Sequence, residues 1–453
     1  MTANFTSHRR TLYGLFAGWI LAQGALADGT PDAPPAPSPE SFAVHGEFTY
    51  VEQEDSGFHA PYAGRNSLTP DRGKETTDAN IAMGVALWSG AEAWINPEID
   101  EGFGLDNTLG VAGFPSGEAY KVGKNQPYLR LPRLFVRDTI NGDGDVDGDR
   151  EPVEAAANWL GGEQSANRWV ITVGKFGVTD IFDTNQYAHD PRADFLNWSV
   201  IDGGAFDYAA DAWGFTVGAV AERYQGAWTV RAGIVDLSTI PNSPHLDPGF
   251  HEFQMLFEAE HRHEIAGQPG KAKLTLFDSR GRMGLLSQAV QLALTTDTPV
   301  NIAAVRQYRS RLGGDFNVEQ QLLADLGLFV RVSKAGGNVE PYEFTDIDRS
   351  VSTGLSVKGT AWGRGADTVG FAAVDNGISA EREQYLNAGG LGILIGDGQL
   401  PHPGPEEILE TYYSVAVASF AALSFDYQWI NNPGYNRDRG PVSLFAVRVH
   451  AQF

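Results

Sequence analysis

Along most of this chain apolar and polar residues alternate with a period of two, the signature of β-strands with one apolar and one polar face. The final stretch, Pro441 to Phe453 (PVSLFAVRVHAQF), shows it most clearly. Phe445, Val447, Val449, Ala451 and Phe453 fall on one face, and Ala446, Arg448, His450 and Gln452 on the other. The alternation runs to the last residue, where a soluble fold usually frays. A strand of this kind needs a partner. Pairing it with the first strand would close the sheet and remove its edges, the one β solution a membrane accepts. The competing reading is a terminal edge strand in a soluble sandwich.

The same rhythm predicts strands from Phe42, over Asn80–Asn96 (two strands with a turn at Gly90), Leu129–Thr139, Trp169–Phe176, and a hairpin of Phe206–Tyr224 and Ala227–Leu237 around Gln225-Gly226. It continues over Glu252–His263, Lys271–Ser279, Ala324–Ser333, Ser350–Trp362, Asp367–Val374, Glu410–Phe420 and Ala422–Ile430. Pro97–Lys124 reads as a glycine-rich loop and Leu285–Leu294 as a short helix on a loop. Counting ambiguous segments, roughly fourteen to sixteen strands are expected, with no repeat of propeller-blade length. The fold class is all-β. Strand number and spacing point to a transmembrane antiparallel β-barrel of about 16 strands, the size of a medium outer-membrane barrel.

Composition sharpens the address. Arg9 and Arg10, the apolar Leu12–Leu21 and Ala25-Leu26-Ala27 form a signal peptide over residues 1–27. Residues 28–41 are a Pro-rich linker, and 42–453 the barrel. Removal of the signal leaves 31 basic against 57 acidic residues, a net charge of −26, so nucleic acid is not an expected partner. There is no cysteine, hence no disulfide framework. No stretch after residue 27 approaches the ~18 consecutive apolar residues of a helical span. The 53 glycines and 11% aromatic residues suit turns and aromatic girdles.

A barrel of this strand number encloses an aqueous channel. Its polar faces then carry arginines and acids: Arg133 and Arg137, Arg231, Glu258, Glu260, Arg262 and Arg331. Guanidinium offers a fixed fork of donors and carboxylates accept hydroxyl hydrogens, which together suit sugars. For each residue the alternative is an ordinary ion-paired wall position.

Several longer segments carry a resemblance. They are PYAG (Pro61–Gly64) followed by SLTP, NPEIDEGFGLDNTLGVAGFPSGEAYKVG (Asn96–Gly123), and VGKFGVTDIFDTNQYAHDPRADFLNW (Val173–Trp198) followed by GAFDYAADAWGFTVG. FNVEQQL, EFTDIDRS, YLNAGGLGILIGDGQL, LETYYS and INNPGYNRDRGPVSLFAVRVHAQF follow in order. From about His45 to Phe453 the chain resembles the carbohydrate-selective porins of Gram-negative outer membranes, the OprB family. The resemblance implies a barrel of about sixteen strands that lets mono- or oligosaccharides diffuse passively, without covalent chemistry. It also implies outer-membrane lipid as surroundings and Phe453 as the terminal aromatic that outer-membrane assembly machinery reads. Monomer and homotrimer both stay open.

Asp180–Arg192 (DIFDTNQYAHDPR) is too polar and irregular for a strand. It is expected as a loop folded into or against the lumen, with Asp183, Asn185, Asp190 and Arg192 helping to form a constriction. An ordered surface loop with capping aspartates is the alternative.

Residues 139–167 are expected as an external acidic loop. Within it NGDGDVDGDREPVE matches an EF-hand-like spacing, with Asp143, Asp145, Asp147, Asp149 and Glu154 as ligand positions and Gly148 at the turn. A Ca²⁺ ion would order this loop, although only Ala155–Leu160 could supply the usual second helix. No cofactor is otherwise required.

Two rival functions remain. A secreted or periplasmic β-fold glycoside hydrolase or sugar-binding protein would need paired carboxylates such as Glu258 and Glu260. A structural barrel would have a plugged lumen. No nucleophile elbow or phosphate loop argues for an enzyme.

Overall fold

A computed structural model describes residues 39–70, 73–119, 122–142 and 150–453. The expected signal peptide, linker residues 28–38 and the ligand positions Asp143, Asp145, Asp147 and Asp149 lie outside these residues.

The chain opens with strands β1 (Phe42–Asp55), β2 (Gly73–Trp88), β3 (Ala91–Gly102) and β4 (Lys124–Asn141). A small hairpin of β5 (Arg150–Val153) and β6 (Gly162–Ser165) follows. Then come β7 (Arg168–Phe176), β8 (Thr216–Gln225), β9 (Trp228–Asp236), β10 (Phe253–Ile265), β11 (Gln268–Gly284) and β12 (Arg306–Leu323). The series ends with β13 (Leu326–Ala335), β14 (Arg349–Gly359), β15 (Arg364–Gly377), β16 (Glu406–Ala418), β17 (Ala421–Asn431) and β18 (Val442–Gln452). Among the described residues sixteen strands, all but β5 and β6, close into one antiparallel barrel in chain order. Among the described residues three α-helices interrupt the loops: α1 (Trp198–Ile201), α2 (Leu286–Thr296) and α3 (Ala380–Asn387).

The seam joins β1 to β18 in unbroken register from Glu47↔Gln452 to Asp55↔Leu444. Gly46 and Phe453 extend it by exchanging backbone hydrogen bonds of 2.9 and 3.0 Å. The Phe453 ring lies where a side chain at 46 would be, since a Cβ there would sit 2.3 Å from the ring. Glycine is what allows the aromatic to lie across the seam.

Period-two patterning sets which residues face out. Val447, Val449 and Phe445 on β18, and Ile171 and Val173 on β7, are exposed on the outer surface. No soluble core covers them, so that surface is a lipid face. Phe42, Trp88, Trp169, Trp228, Trp362, Phe420 and Phe453 are all exposed and all lie at strand ends on one rim. They form an aromatic girdle at the level of one membrane interface.

That rim carries the tight turns β2–β3, β8–β9, β10–β11, β12–β13 and β16–β17, together with residue 42 and the C-terminus. The other rim carries the long connections, including 103–123, 177–215 and 378–405. The acidic 139–167 segment, expected on the outside with the long loops, leaves β4 and returns to β7 at the tight-turn rim. Arg150–Val153 forms a strand there, and Ala156–Trp159 is a turn closed by a bridge rather than a second helix. Glu154 is exposed.

Three segments differ from the alternation pattern. Pro97–Gly102 belongs to β3 rather than to a loop. The alternation does not give β12: its inward face is polar except for Gly313, and Ser310 and Gly314 interrupt the apolar outward one. Phe206–Phe215 is not strand: it lies inside the barrel, buried from Phe206 to Ala212, where alternation has no meaning.

Candidate functional site

The inward wall residues of a wide barrel cannot meet one another, so loops from the long-loop rim fold in to cover them. The β7–β8 loop, 177–215, goes deepest. It lacks a ladder of its own, and wall side chains satisfy its backbone instead. Glu258 Oε2 accepts from Asp183 N at 2.8 Å and Glu319 Oε2 from Gln186 N at 2.7 Å. Glu410 Oε1 accepts from Leu196 N at 2.5 Å, and Gln254 Oε1 from Ala209 N at 3.0 Å. In return Arg331 donates to Val200 O at 2.7 Å, and Arg448 to Asp194 O at 2.9 Å. Tyr187 docks against Gly327 on β13, where a Cβ would sit 2.1 Å from the ring.

The loops also hold one another. Phe114 of the β3–β4 loop stacks on Trp198 of α1, with centroids 5.2 Å apart and planes 7° apart. Phe344 of the β13–β14 loop packs edge-on to Trp198 at 4.8 Å and to Tyr208 at 4.6 Å. Aromatic pairs of this kind contribute about 0.5–1.5 kcal/mol each beyond burial. Asp207 joins the β7–β8 loop to 336–348: it accepts from the backbone N of Tyr342 (2.6 Å) and of Glu343 and Phe344 (3.2 Å each), and from Arg311 on β12 (3.2 Å).

Among the described residues two adjoining cavities lie along the lumen. The first, about 240 Å³, is walled by the loops, with Glu118, Trp198, Tyr208, Trp213, Phe215 and Phe344 among its residues. The second, about 290 Å³, lies against Glu47, Phe135, Arg137, Asn158, Trp159 and Thr172. They share four residues: Arg133, Asp180, His189 and Arg192. These four form a neck between a loop-side and a turn-side cavity.

The neck is charged but paired. Arg133 donates twice to Asp180, Nε to Oδ2 at 2.8 Å and Nη2 to Oδ1 at 2.6 Å. Arg192 bridges Glu47 at 2.7 Å and Glu118 at 3.2 Å. His189 Nδ1 stands 3.5 Å from Asp202 Oδ1, longer than an ordinary hydrogen bond. Partial loss of water opposes ionisation of Asp180, but the Arg133 guanidinium and the Gly177 N–H more than offset it and hold the carboxyl below its usual range. Burial likewise opposes charge on His189, yet its contact with Asp202 raises the imidazole above its ordinary value. Asp194, half-buried and beside the Asp190 carboxylate, is pushed up to about 6.

The residues singled out from sequence divide into three groups. Arg133 and Arg192 sit in the neck, Asp190 lines the loop-side cavity and Arg137 the turn-side one. Arg262 lines a separate recess near the tight turns, with Gln186, Tyr187, Lys271 and Glu319. Arg231, Glu258, Glu260 and Arg331 point inward from the wall as the alternation predicts but are buried against the β7–β8 loop, Asp183 and Asn185 are buried within that loop, and none of the six lines either cavity. Asp183 accepts from Arg331 at 3.2 Å and from Gly203 N at 2.7 Å, and Asn185 donates to Asn317 at 2.7 Å. Arg231 is shared by Glu222 (2.9 Å), Glu258 (2.6 Å) and Glu260 (2.9 Å), so the two glutamates that a hydrolase would need are committed to a buried ion pair. Sequence reasoning missed His189, Trp198, Tyr208, Trp213, Trp159 and Thr172. The tryptophans and tyrosine sit in aperiodic segments, where only their residue type hinted at a sugar-facing surface.

A family model described as carbohydrate-selective porin, OprB family, matches residues 65–453. A search of curated proteins finds no match. Among solved structures, the chain is similar to OprB of Pseudomonas putida at high pH, with a TM-score of 0.67 and 15% identity over 91% of this chain and 94% of that one. The same protein at low pH gives 0.49 and 12% over 91% and 93%. OccK11 of Pseudomonas aeruginosa gives 0.44 and 8% over 91% and 95%. At 15% identity the first of these shows a common barrel fold.

Proposed function

The chain belongs to the carbohydrate-selective porin (OprB) family, and from that premise we propose how it passes its solutes. It is an outer-membrane channel for carbohydrates, and it works as a channel rather than as an enzyme. Our reading is that sugars cross by the two cavities and the neck between them, shedding water on entering and exchanging hydroxyl hydrogen bonds with paired charges. The observation that carries this is the sharing of Arg133, Asp180, His189 and Arg192 by both cavities. Paired charges suit such passage. Each guanidinium and carboxylate keeps lone pairs or N–H groups for sugar hydroxyls, while the site as a whole stays near neutral and does not trap ions. The aromatic wall of Trp198, Tyr208, Trp213 and Phe215 offers apolar surface to the C–H faces of a sugar ring.

Short turns of outer-membrane barrels face the periplasm and long loops the outside. On that rule the loop-side cavity opens to the exterior, and the 139–167 segment lies on the periplasmic side. The exposure of Phe453 at the turn-side rim, 79%, supports reading it as the aromatic that outer-membrane assembly machinery recognises. Passage as proposed needs no cofactor.

Conductance in a planar bilayer tests the reading. Open steps that glucose or a disaccharide blocks, with block relieved in Arg133→Ala, are the expected result. Open steps indifferent to sugars would refute the carbohydrate path, and no steps at all would refute the channel.

A further inference from the structure

The outer face of the wall carries its charges unevenly at the long-loop rim. On β11 the outward row runs Leu274, Leu276, Asp278, Arg280, Arg282: two aliphatic residues on the lipid face, then charge towards the rim. The next strands continue it. Tyr308 on β12 stands opposite Arg282, Lys334 is the last outward residue of β13, and Arg349 on β14 pairs with Lys334. Arg280, Arg282, Tyr308, Lys334 and Arg349 are all exposed. From β15 through the seam to β3 the outward positions near the same rim are acidic instead: Asp375, Glu407, Glu52, Glu54, Glu75 and Glu101. A chain with 57 acidic and 33 basic residues therefore gathers cations on one quadrant of its outer face.

The two arginines of β11 are oriented but not used up. Arg280 Nε donates to Asp278 Oδ2 at 2.8 Å, and Arg282 Nε to Glu252 Oε1 at 3.0 Å. Each contact holds the guanidinium by its inner N–H and leaves the outer fork at the surface, with side chains 44% and 62% exposed. The Lys334 ammonium has no ion-pair partner among the described residues. Arg349 donates to Ile378 O at 2.8 Å. Tyr308, whose hydroxyl donates to His251 O at 3.0 Å, is an aromatic of the kind that settles at headgroup depth. A guanidinium fork matches phosphate oxygens two at a time, and an ammonium adds a point charge. Just below the cations, Leu276, Leu312 and Val332 are exposed on the lipid face. An occupant that suits both levels has phosphate above and an apolar body below. Free phosphate or an acidic sugar meets only the first requirement.

We propose that the outward faces of β11–β14 at the long-loop rim form a docking surface for a phosphorylated lipid of the surrounding leaflet. Arg280, Arg282 and Lys334 hold its phosphate, and Arg349 closes the edge of the patch. The acidic strands around the seam repel the same headgroup, so the lipid sits on one side of the barrel. The surface lies outside the lumen and needs the barrel in a membrane, not the sugar path.

The test is native mass spectrometry of the full mature protein in detergent, titrated with diphosphoryl lipid A. A saturable adduct is expected. Arg280→Gln, Arg282→Gln and Lys334→Gln should each weaken it about fivefold, the effect of one basic residue at a charged lipid surface. Glu75→Gln, on the acidic side, should not weaken it. Lys334→Gln breaks no ion pair, so its result stands whatever the arginine variants do to folding. Unchanged affinity in Lys334→Gln and Arg282→Gln would overturn the proposal. Equally tight binding of dephosphorylated lipid A would overturn phosphate recognition, and displacement by equimolar inorganic phosphate would mark a site for free anions and overturn the lipid. Sugar block of conductance reports the path through the lumen and adduct formation reports this surface, so either reading can fail without the other.

Discussion

The barrel wall and the β7–β8 loop inside it are held by opposite means. The wall is a continuous backbone ladder whose side chains are free to face lipid on one side and the lumen on the other. The loop has almost no ladder, and its backbone is bonded side chain by side chain to the wall: Glu258, Glu319 and Gln254 each accept one of its N–H groups, and Glu410 accepts two. The acidity that a sequence reading assigns to sugar recognition therefore serves in good part to hold loops. A wall of this kind tolerates substitution on its faces, whereas each carboxylate that receives a loop is an individual weak point.

The largest expected effect breaks the loop side of that contrast. Asp207→Ala should cost about 3–5 kcal/mol, because it strips Arg311 of a buried partner and frees the N–H groups of Tyr342, Glu343 and Phe344 at once. A lowered denaturation midpoint with raised, noisier single-channel conductance would show it. Conductance unchanged from wild type would mean that the loop is held by packing alone.

The wall should fail only where backbones meet, so Gly46→Leu is the sharpest probe of it. A side chain there displaces the Phe453 ring from the seam and should cost about 1–3 kcal/mol as overpacking. Heat-dependent migration in detergent gels reads it out; a substitution such as Val447→Leu on the lipid face should leave that migration unchanged.

A smaller effect follows pH. Asp194 has a carboxyl raised to about 6 in the folded loop, above its value in an unfolded chain. Folding therefore favours the protonated form: this contribution is intact at pH 4 and is lost as pH rises towards and past 6. Asp194→Asn should stabilise the protein at about pH 7–8 and change nothing at about pH 4, as thermal denaturation at the two pH values will tell. Equal effects at both would place the residue's role in hydrogen bonding rather than in charge.

The same contrast explains what the sequence disclosed. Where one face meets lipid, a period of two is forced, and β1, β7, β9, β10, β13 and β18 are legible from it. β12 is not, because Arg311, Asp315, Asn317 and Glu319 make its inward face read as a polar connector. Inside the lumen no period is imposed. Phe206–Phe215 then looks like a strand although it is packed loop, and the partners of Asp207 lie more than a hundred residues away in the chain. Of the site, Arg133, Arg137, Asp190 and Arg192 could be named because charge on or between strands stands out. Thr172 could not, since one hydroxyl on a strand carries no signal.

The narrow neck between two cavities has a consequence for chain-like solutes. On the proposed path, an oligosaccharide long enough to lie in both cavities would be held at two places at once, and leaving would require both to let go. Its dwell time then rises as a product rather than a sum, because the second contact forms at the high effective concentration set by the first. Flux should therefore fall with chain length more steeply than diffusion alone dictates, and the channel becomes a ruler as well as a sieve.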